Sequence, residues 1–374
     1  MWLKYRYSLQ IKRKIAKPLK VVVTTFLLVT TPFLVYAQEN ENDSTVLKVL
    51  PLAYYTPETR IAFEAFAFYS YFSKGSQKKS NLRLFATYTQ NRQYLLTIPW
   101  QIYTADDRYF LNGSMDYRSF PEYYYGIGNN TQEDNRALYE FSAITITSKS
   151  YIKLENDTYM GFSLQGQRLM PEFPENKIIF NDIEPDNGEK GYSYMSLGPS
   201  FMRDKRDHIL SPSTGSFLEF TPVFGLGKAD QKSIYFGLAT LDIRDYWKLG
   251  ENSTWANQFV AQFSMGSVPY RVLPTLGGPF LHRGYYQGRF RDNHLMVLQS
   301  ELRQHVIGRF GFVLFGSMGR VYPDIRTELL QNIHLAAGAG IRFRVSKKDR
   351  TNVRFDYSLT PDSTGFYIYF AESF

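Results

Sequence analysis

The chain has 374 residues and no cysteine, which excludes disulfides, thiolate metal centres and a lipid-anchored Cys. Of its 43 Lys and Arg, seven (Lys4, Arg6, Lys12, Arg13, Lys14, Lys17 and Lys20) open the chain with no acid among them. This leaves 36 basic against 35 acidic residues beyond position 37. The formal net charge of +8 is therefore no argument for a nucleic-acid partner.

After the basic start comes an apolar run, Val21–Val35, closed by Val35-Tyr36-Ala37. That order is a secretion signal, residues 1–37, cleaved after Ala37. The run is short for a spanning helix and none comparable follows, so the mature chain is expected to be exported without one. Residues 38–45 are read as a short periplasmic N-terminus and 46–374 as one domain. Aromatic residues make up 17% of the chain, yet the mean hydropathy is −0.33. Strands that face lipid on one side and water on the other, with aromatic girdles at both interfaces, produce this combination.

Apolar and polar residues alternate with period two nearly throughout, broken by turn residues. Sixteen strands are predicted, at 46–55, 60–72, 81–90, 93–104, 108–119, 137–152, 158–169, 191–204, 215–226, 233–248, 254–266, 294–306, 309–322, 332–345, 351–359 and 366–374. In 294–306, Met296, Leu298 and Leu302 oppose Gln299, Glu301 and Arg303; in 332–345, the apolar set from Leu335 to Val345 opposes His334, Arg342 and Arg344. In 351–359, Val353, Phe355, Tyr357 and Leu359 oppose Arg354 and Asp356. An even strand count puts both ends in the periplasm, with short turns at 73–80, 105–107, 250–253 and 346–350. Surface loops then fall at 121–136, 170–190 and 267–293. The final run carries Phe366, Phe370 and the last residue, Phe374, on one parity, as outer-membrane barrels finish. The fold class is all-β: a single 16-stranded antiparallel transmembrane β-barrel in the bacterial outer membrane. No cofactor or metal is expected. Its five histidines lie outside any G-x-S-x-G context or metal-spaced pair, so no enzyme is expected. Asn129-Asn130-Thr131 and Asn156-Asp157-Thr158 read as loop chemistry.

The loop 267–293 is rich in Gly and Pro, yet holds many aromatics and four Arg. An ordinary surface loop is more polar, and this sixth loop is expected to fold toward the lumen. It contains His282-Arg283-Gly284-Tyr285, preceded by Leu276-Gly277-Gly278. Here the chain resembles the BamA/TamA superfamily, also called the bacterial surface antigen family. Its sixth loop carries [V/I]-R-G-[F/Y], with His282 here in the variable first place. The resemblance implies an inward acid on the next strand that pairs with Arg283; Glu301 is the candidate. The following strand reads F-x-D-x-G in the family, and Phe315-Gly316-Ser317-Met318-Gly319 here puts Ser317 in the Asp place. Arg203 to Asp207 followed by Pro212 to Gly215, and Gly338-Ala339-Gly340-Ile341-Arg342, match two further family stretches.

The resemblance implies insertion or translocation of outer-membrane proteins through a weak seam between first and last strands. Pro51, which lacks an N–H, Tyr54, Phe366, Phe370 and Phe374 would lie along it. Implied partners are outer-membrane lipid and lipopolysaccharide, unfolded outer-membrane protein clients and separate periplasmic proteins. On this strand count no residues are left for the periplasmic POTRA domains that such proteins usually carry. A transport or pore-forming barrel that has lost the insertase role is the alternative.

Overall fold

The computed structural model describes residues 45–56, 60–76, 78–172, 188–326, 331–346 and 350–374. The signal peptide and all but the last residue of the expected N-terminal segment, most of the 170–190 loop and the centre of the 346–350 turn lie outside them. The described chain falls into two compact units, one running up to Asp107 with Asn112–Phe120, the other comprising Arg108–Leu111 and Pro121–Phe374.

In the first unit, β1 (Thr45–Thr56), β2 (Arg60–Phe72), β3 (Lys79–Thr89) and β4 (Tyr94–Tyr103) pair in chain order, followed by most of β5 (Tyr109–Ser119). Register is set by alternation, because a one-residue slip would turn every side chain to the other face. Phe63, Tyr69, Leu82, Tyr88 and Tyr94 are exposed on one face, whereas Ala62, Ser70, Thr87 and Thr89 are buried on the other. Pro51 of β1 sits opposite Ala65 and Tyr54 opposite Ala62.

The second unit includes β6 (Glu122–Tyr124), β7 (Ala137–Tyr139), β8 (Phe141–Lys153), β9 (Thr158–Pro171), β10 (Tyr192–Asp204), β11 (Gly215–Ala229), β12 (Lys232–Gly250) and β13 (Ser253–Gly266). After them come β14 (Thr275–Leu276), β15 (Phe290–Arg291), β16 (His294–Ile307), β17 (Phe310–Tyr322), β18 (His334–Ser346), β19 (Thr351–Leu359) and β20 (Thr364–Phe370). Strands β8 to β13 and β16 to β20 form one antiparallel ladder in chain order. Asn156-Asp157 and Asp230-Gln231, all at positive φ, close tight hairpins without glycine. Exposed Ile144, Phe162, Met195, Leu197, Phe224, Leu298 and Ile341 mark the apolar face. Buried Ser196, Thr221, Gln258, Gln299, Glu301, Arg303, Arg342, Arg354 and Asp356 mark the opposite one. Apolar outward and polar inward is the pattern of a barrel in lipid.

Two predicted elements differ. The expected strand 137–152 is broken at Glu140: β7 leaves the ladder to pair with β6, while β8 begins at Phe141. The predicted strand 366–374 stops at Phe370, because Ala371 takes φ 65° and turns the chain away from the ladder. Phe374 therefore does not share the strand parity of Phe366; it is buried against Tyr246 and Ala256.

Candidate functional site

The segment between β13 and β16 folds back over the polar face of the ladder. Its two arms zip as β14 and β15, and the tip from Gly277 to Gly288 lies between them. Strand side chains satisfy the tip's backbone, which removes the cost of burying bare peptide groups. Arg354 Nη2 donates to the Pro279 carbonyl at 3.0 Å, Gln299 Nε2 to the Phe280 carbonyl at 2.9 Å and Ser358 Oγ to the Arg283 carbonyl at 2.6 Å. The Gly284 N–H donates to Tyr367 Oη at 2.9 Å, and Ser363 Oγ donates to the Gly284 carbonyl. A Cβ on Gly284 would stand 2.5 Å from Thr360 Cγ2, at φ 115°, so the approach requires glycine.

Arg283 is the centre of the site. Its guanidinium is 1% exposed and lies 3.6 Å above the Phe315 ring centroid. One terminal nitrogen donates to Glu301 of β16; the other donates to Asp356 Oδ2 of β19 at 2.6 Å. The fork is thus split between two carboxylates on different strands, rather than held bidentately by one. Gly340 sits opposite Asp356 in the β18–β19 ladder, where a Cβ would come within 2.1 Å of the Asp356 carboxylate. The glycine of the Gly338-Ala339-Gly340-Ile341-Arg342 stretch makes room for that acid.

Each carboxylate is shared further. Glu301 accepts from Arg303 Nε at 2.8 Å; Asp356 accepts from Arg342 Nη1 at 2.5 Å and Arg354 Nη1 at 3.1 Å. Glu372 accepts from Arg342 Nε at 2.7 Å. Four arginines and three carboxylates form one buried network. Removing a single member would strand an unpaired charge away from water.

Beside this network, Ser317 Oγ and His282 Nδ1 lie 2.9 Å apart. The His282 ring stacks on Tyr285 with 5.1 Å between centroids and 4° between planes. Burial, reinforced by nearby His334, pushes the His282 imidazole down to about 3, so it is neutral at physiological pH. Tyr285 is buried with its hydroxyl against the Leu335 carbonyl. A second loop, 121–136, braces the first. Arg271 binds Glu122 through two nitrogens, and the Gly128 N–H donates to the Arg291 carbonyl at 2.7 Å. Asn129 Oδ1 accepts from the Val321 N–H at 3.0 Å.

The structure thus brings His282, Arg283, Gly284, Tyr285, Glu301 and Ser317 together. Pro51, Tyr54, Phe366 and Phe370 lie on β1 and β20, and Phe374 lies inside the network's margin. Pairing of Arg283 with Asp356, and the roles of Arg303, Arg342, Arg354 and Glu372, were not read from sequence. Strand parity placed most of them on the polar face; which acid meets which arginine needs the fold. Among the described residues, no group of three or more His, Asp or Glu could hold a metal ion.

A strand ladder with lipid-facing apolar residues and a loop pinned to its polar face is the architecture of an outer-membrane β-barrel. The chain belongs to the Omp85 superfamily, whose domain matches residues 72–370, and it is a bacterial outer-membrane protein. BamA from Haemophilus ducreyi lacking POTRA domains 1-3 is similar in structure, with TM-score 0.57 at 12% identity over 88% of this chain and 70% of that one. CdiB from Acinetobacter baumannii gives TM-score 0.53 at 12% identity over 87% of this chain. CdiB from Escherichia coli gives 0.55 at 11% identity over 89%. The chain spans 60% and 63% of those two CdiB chains, respectively. No curated protein matches the sequence. Barrels of this superfamily are insertases and transporters, not enzymes.

Proposed function

We propose that the protein inserts outer-membrane proteins, with unfolded barrel proteins as clients and periplasmic proteins as helpers. The observation that carries this reading is the Arg283 clamp: a loop tip anchored by two acids on separate strands within an Omp85 barrel. The clamp stiffens β16 to β19 and leaves any yielding to the strands at the ends of the ladder. β20 supports this, since it pairs with β19 over seven residues only, against twelve between β1 and β2. A short terminal strand makes few ladder bonds and can exchange partners by edge addition. Pro51 removes one further donor from β1. On this reading Tyr54, Phe366 and Phe370 line the exchange edges, while lipid and lipopolysaccharide contact the apolar face.

The test is the purified protein in liposomes, timed against the folding of an unfolded outer-membrane protein. The expected result is acceleration that the Arg283→Ala variant loses. Equal rates with and without the protein would sink the insertion reading. A transporting barrel is the second reading, motivated by Ser317 in the Asp place. It predicts single-channel conductance that rises when residues 267–293 are deleted.

A further inference from the structure

The segment after β20 does something the clamp alone does not account for. Ala371 turns inward and its N–H donates to the Asn352 carbonyl at 2.8 Å. Glu372, Ser373 and Phe374 are all more than nine-tenths buried. The Glu372 carboxylate accepts from Arg342 Nε and Asn352 Nδ2, both at 2.7 Å, and stands 4.0 Å from Arg303 Nε. The Phe374 ring lies 5.2 Å from the Arg303 guanidinium, and Arg303 Nη2 donates to the Phe374 carbonyl at 2.9 Å. Ser373 Oγ donates to the Phe280 carbonyl of the loop tip at 3.4 Å.

Arg303 and Arg342 are also the arginines that share Glu301 and Asp356 with Arg283. Each acid that holds the loop is therefore one arginine away from this segment. We propose that Glu372–Phe374 is an internal strap that couples the end of β20 to the docking of the loop. Without Glu372 the four arginine side chains keep only two side-chain carboxylates, Glu301 and Asp356, in a site shielded from water. Their repulsion then falls on the only member carried by a loop, Arg283. Conversely, undocking Arg283 frees Glu301 and Asp356 to draw Arg303 and Arg342 away from Glu372. The strap and the loop therefore release together. The consequence for client passage rests on the insertion reading; the coupling itself does not.

The absence of native cysteine permits a clean test. A single Leu281→Cys reporter, packed against the Leu276–Tyr285 cluster, is labelled with a maleimide in the folded full-length protein. Glu372→Ala should raise its labelling rate at least tenfold, and Glu372→Gln less. Lys149→Ala, which breaks the Lys149–Glu219 pair elsewhere on the polar face, should leave the rate unchanged. A Glu372→Ala rate equal to the parent, or an equal rise in Lys149→Ala, would overturn the proposal. If Glu372→Ala does not fold, the pair Ser373→Cys and Phe280→Cys replaces it. Oxidation should then slow amide hydrogen exchange at the loop tip tenfold or more, and equal exchange in both redox states overturns the coupling. Absence of client folding alongside a clear labelling difference would remove the insertion reading and keep the strap.

Discussion

His282 Nδ1 and Ser317 Oγ lie 2.9 Å apart, so the residue in the variable first place of the loop motif meets the residue that stands where the resemblance implies Asp. A buried imidazole needs a polar neighbour, and the Ser317 hydroxyl supplies one. The second carboxylate for Arg283 comes instead from Asp356. Ser317→Ala should cost about 1–3 kcal/mol by leaving the imidazole nitrogen unpaired. Adding His282→Val should recover part of it. A double-mutant cycle on thermal unfolding in detergent checks this, and additive losses would refute the partnership.

Arg283→Lys should behave much like Arg283→Ala. A single ammonium cannot span Glu301 on β16 and Asp356 on β19 as the guanidinium fork does. Either change leaves buried carboxylates short of a partner, costing about 3–5 kcal/mol. The unfolding temperature of both variants should fall together; a Lys variant as stable as the parent would contradict the split-fork geometry.

Gly284→Ala should release the loop tip. Its Cβ would meet Thr360 Cγ2 at 2.5 Å and Ser358 Oγ at 2.7 Å, and its φ of 115° adds strain of order 1–3 kcal/mol. Gly316→Ala is the matched control, since the nearest atom there is 3.8 Å away. Limited proteolysis of the loop should distinguish the two.

Acid should loosen the loop through His282. Burial, then His334, holds the folded-state pKa near about 3, below the usual value of 6.5. Between these values the unfolded chain binds the extra proton, so stability is lost as pH falls below about 6.5 and is fully present above it. The His282→Val variant should show a flatter decline over that window in unfolding experiments. Parallel profiles would show that His282 is not the group responsible.

Asp207 should act in the other acid range. Partial burial alone would raise its pKa, but the Ser213 hydroxyl and the Ser213 and Thr214 N–H groups, with Arg350, outweigh this and bring it down to about 2. Its contribution is present above about 3.8 and lost as pH falls toward 2. Asp207→Asn should lower the unfolding temperature at pH 7 and match the parent near pH 2.

The ladder was legible because a strand in lipid obeys a rule with period two, and the rule is repeated strand after strand. Glu301, Arg303, Arg342, Arg354 and Asp356 all stand on the parity that alternation assigned to the inner face. The break before Phe141 was not legible: the alternation through Ala137–Tyr139 serves a hairpin with β6 as well as it would serve the ladder. Nor was the end of β20, since the turn at Ala371 follows from the burial of Glu372 and Phe374 and from no Gly or Pro.

By itself the sequence determined the strands, their faces and the loop that carries Arg283, because these depend on local period and composition. Only the tertiary structure decided that Arg283 divides its fork between Glu301 and Asp356, that His282 meets Ser317 and that Glu372 closes the network. Those contacts join side chains up to 73 residues apart, and Coulomb pairing depends on distance in space rather than along the chain.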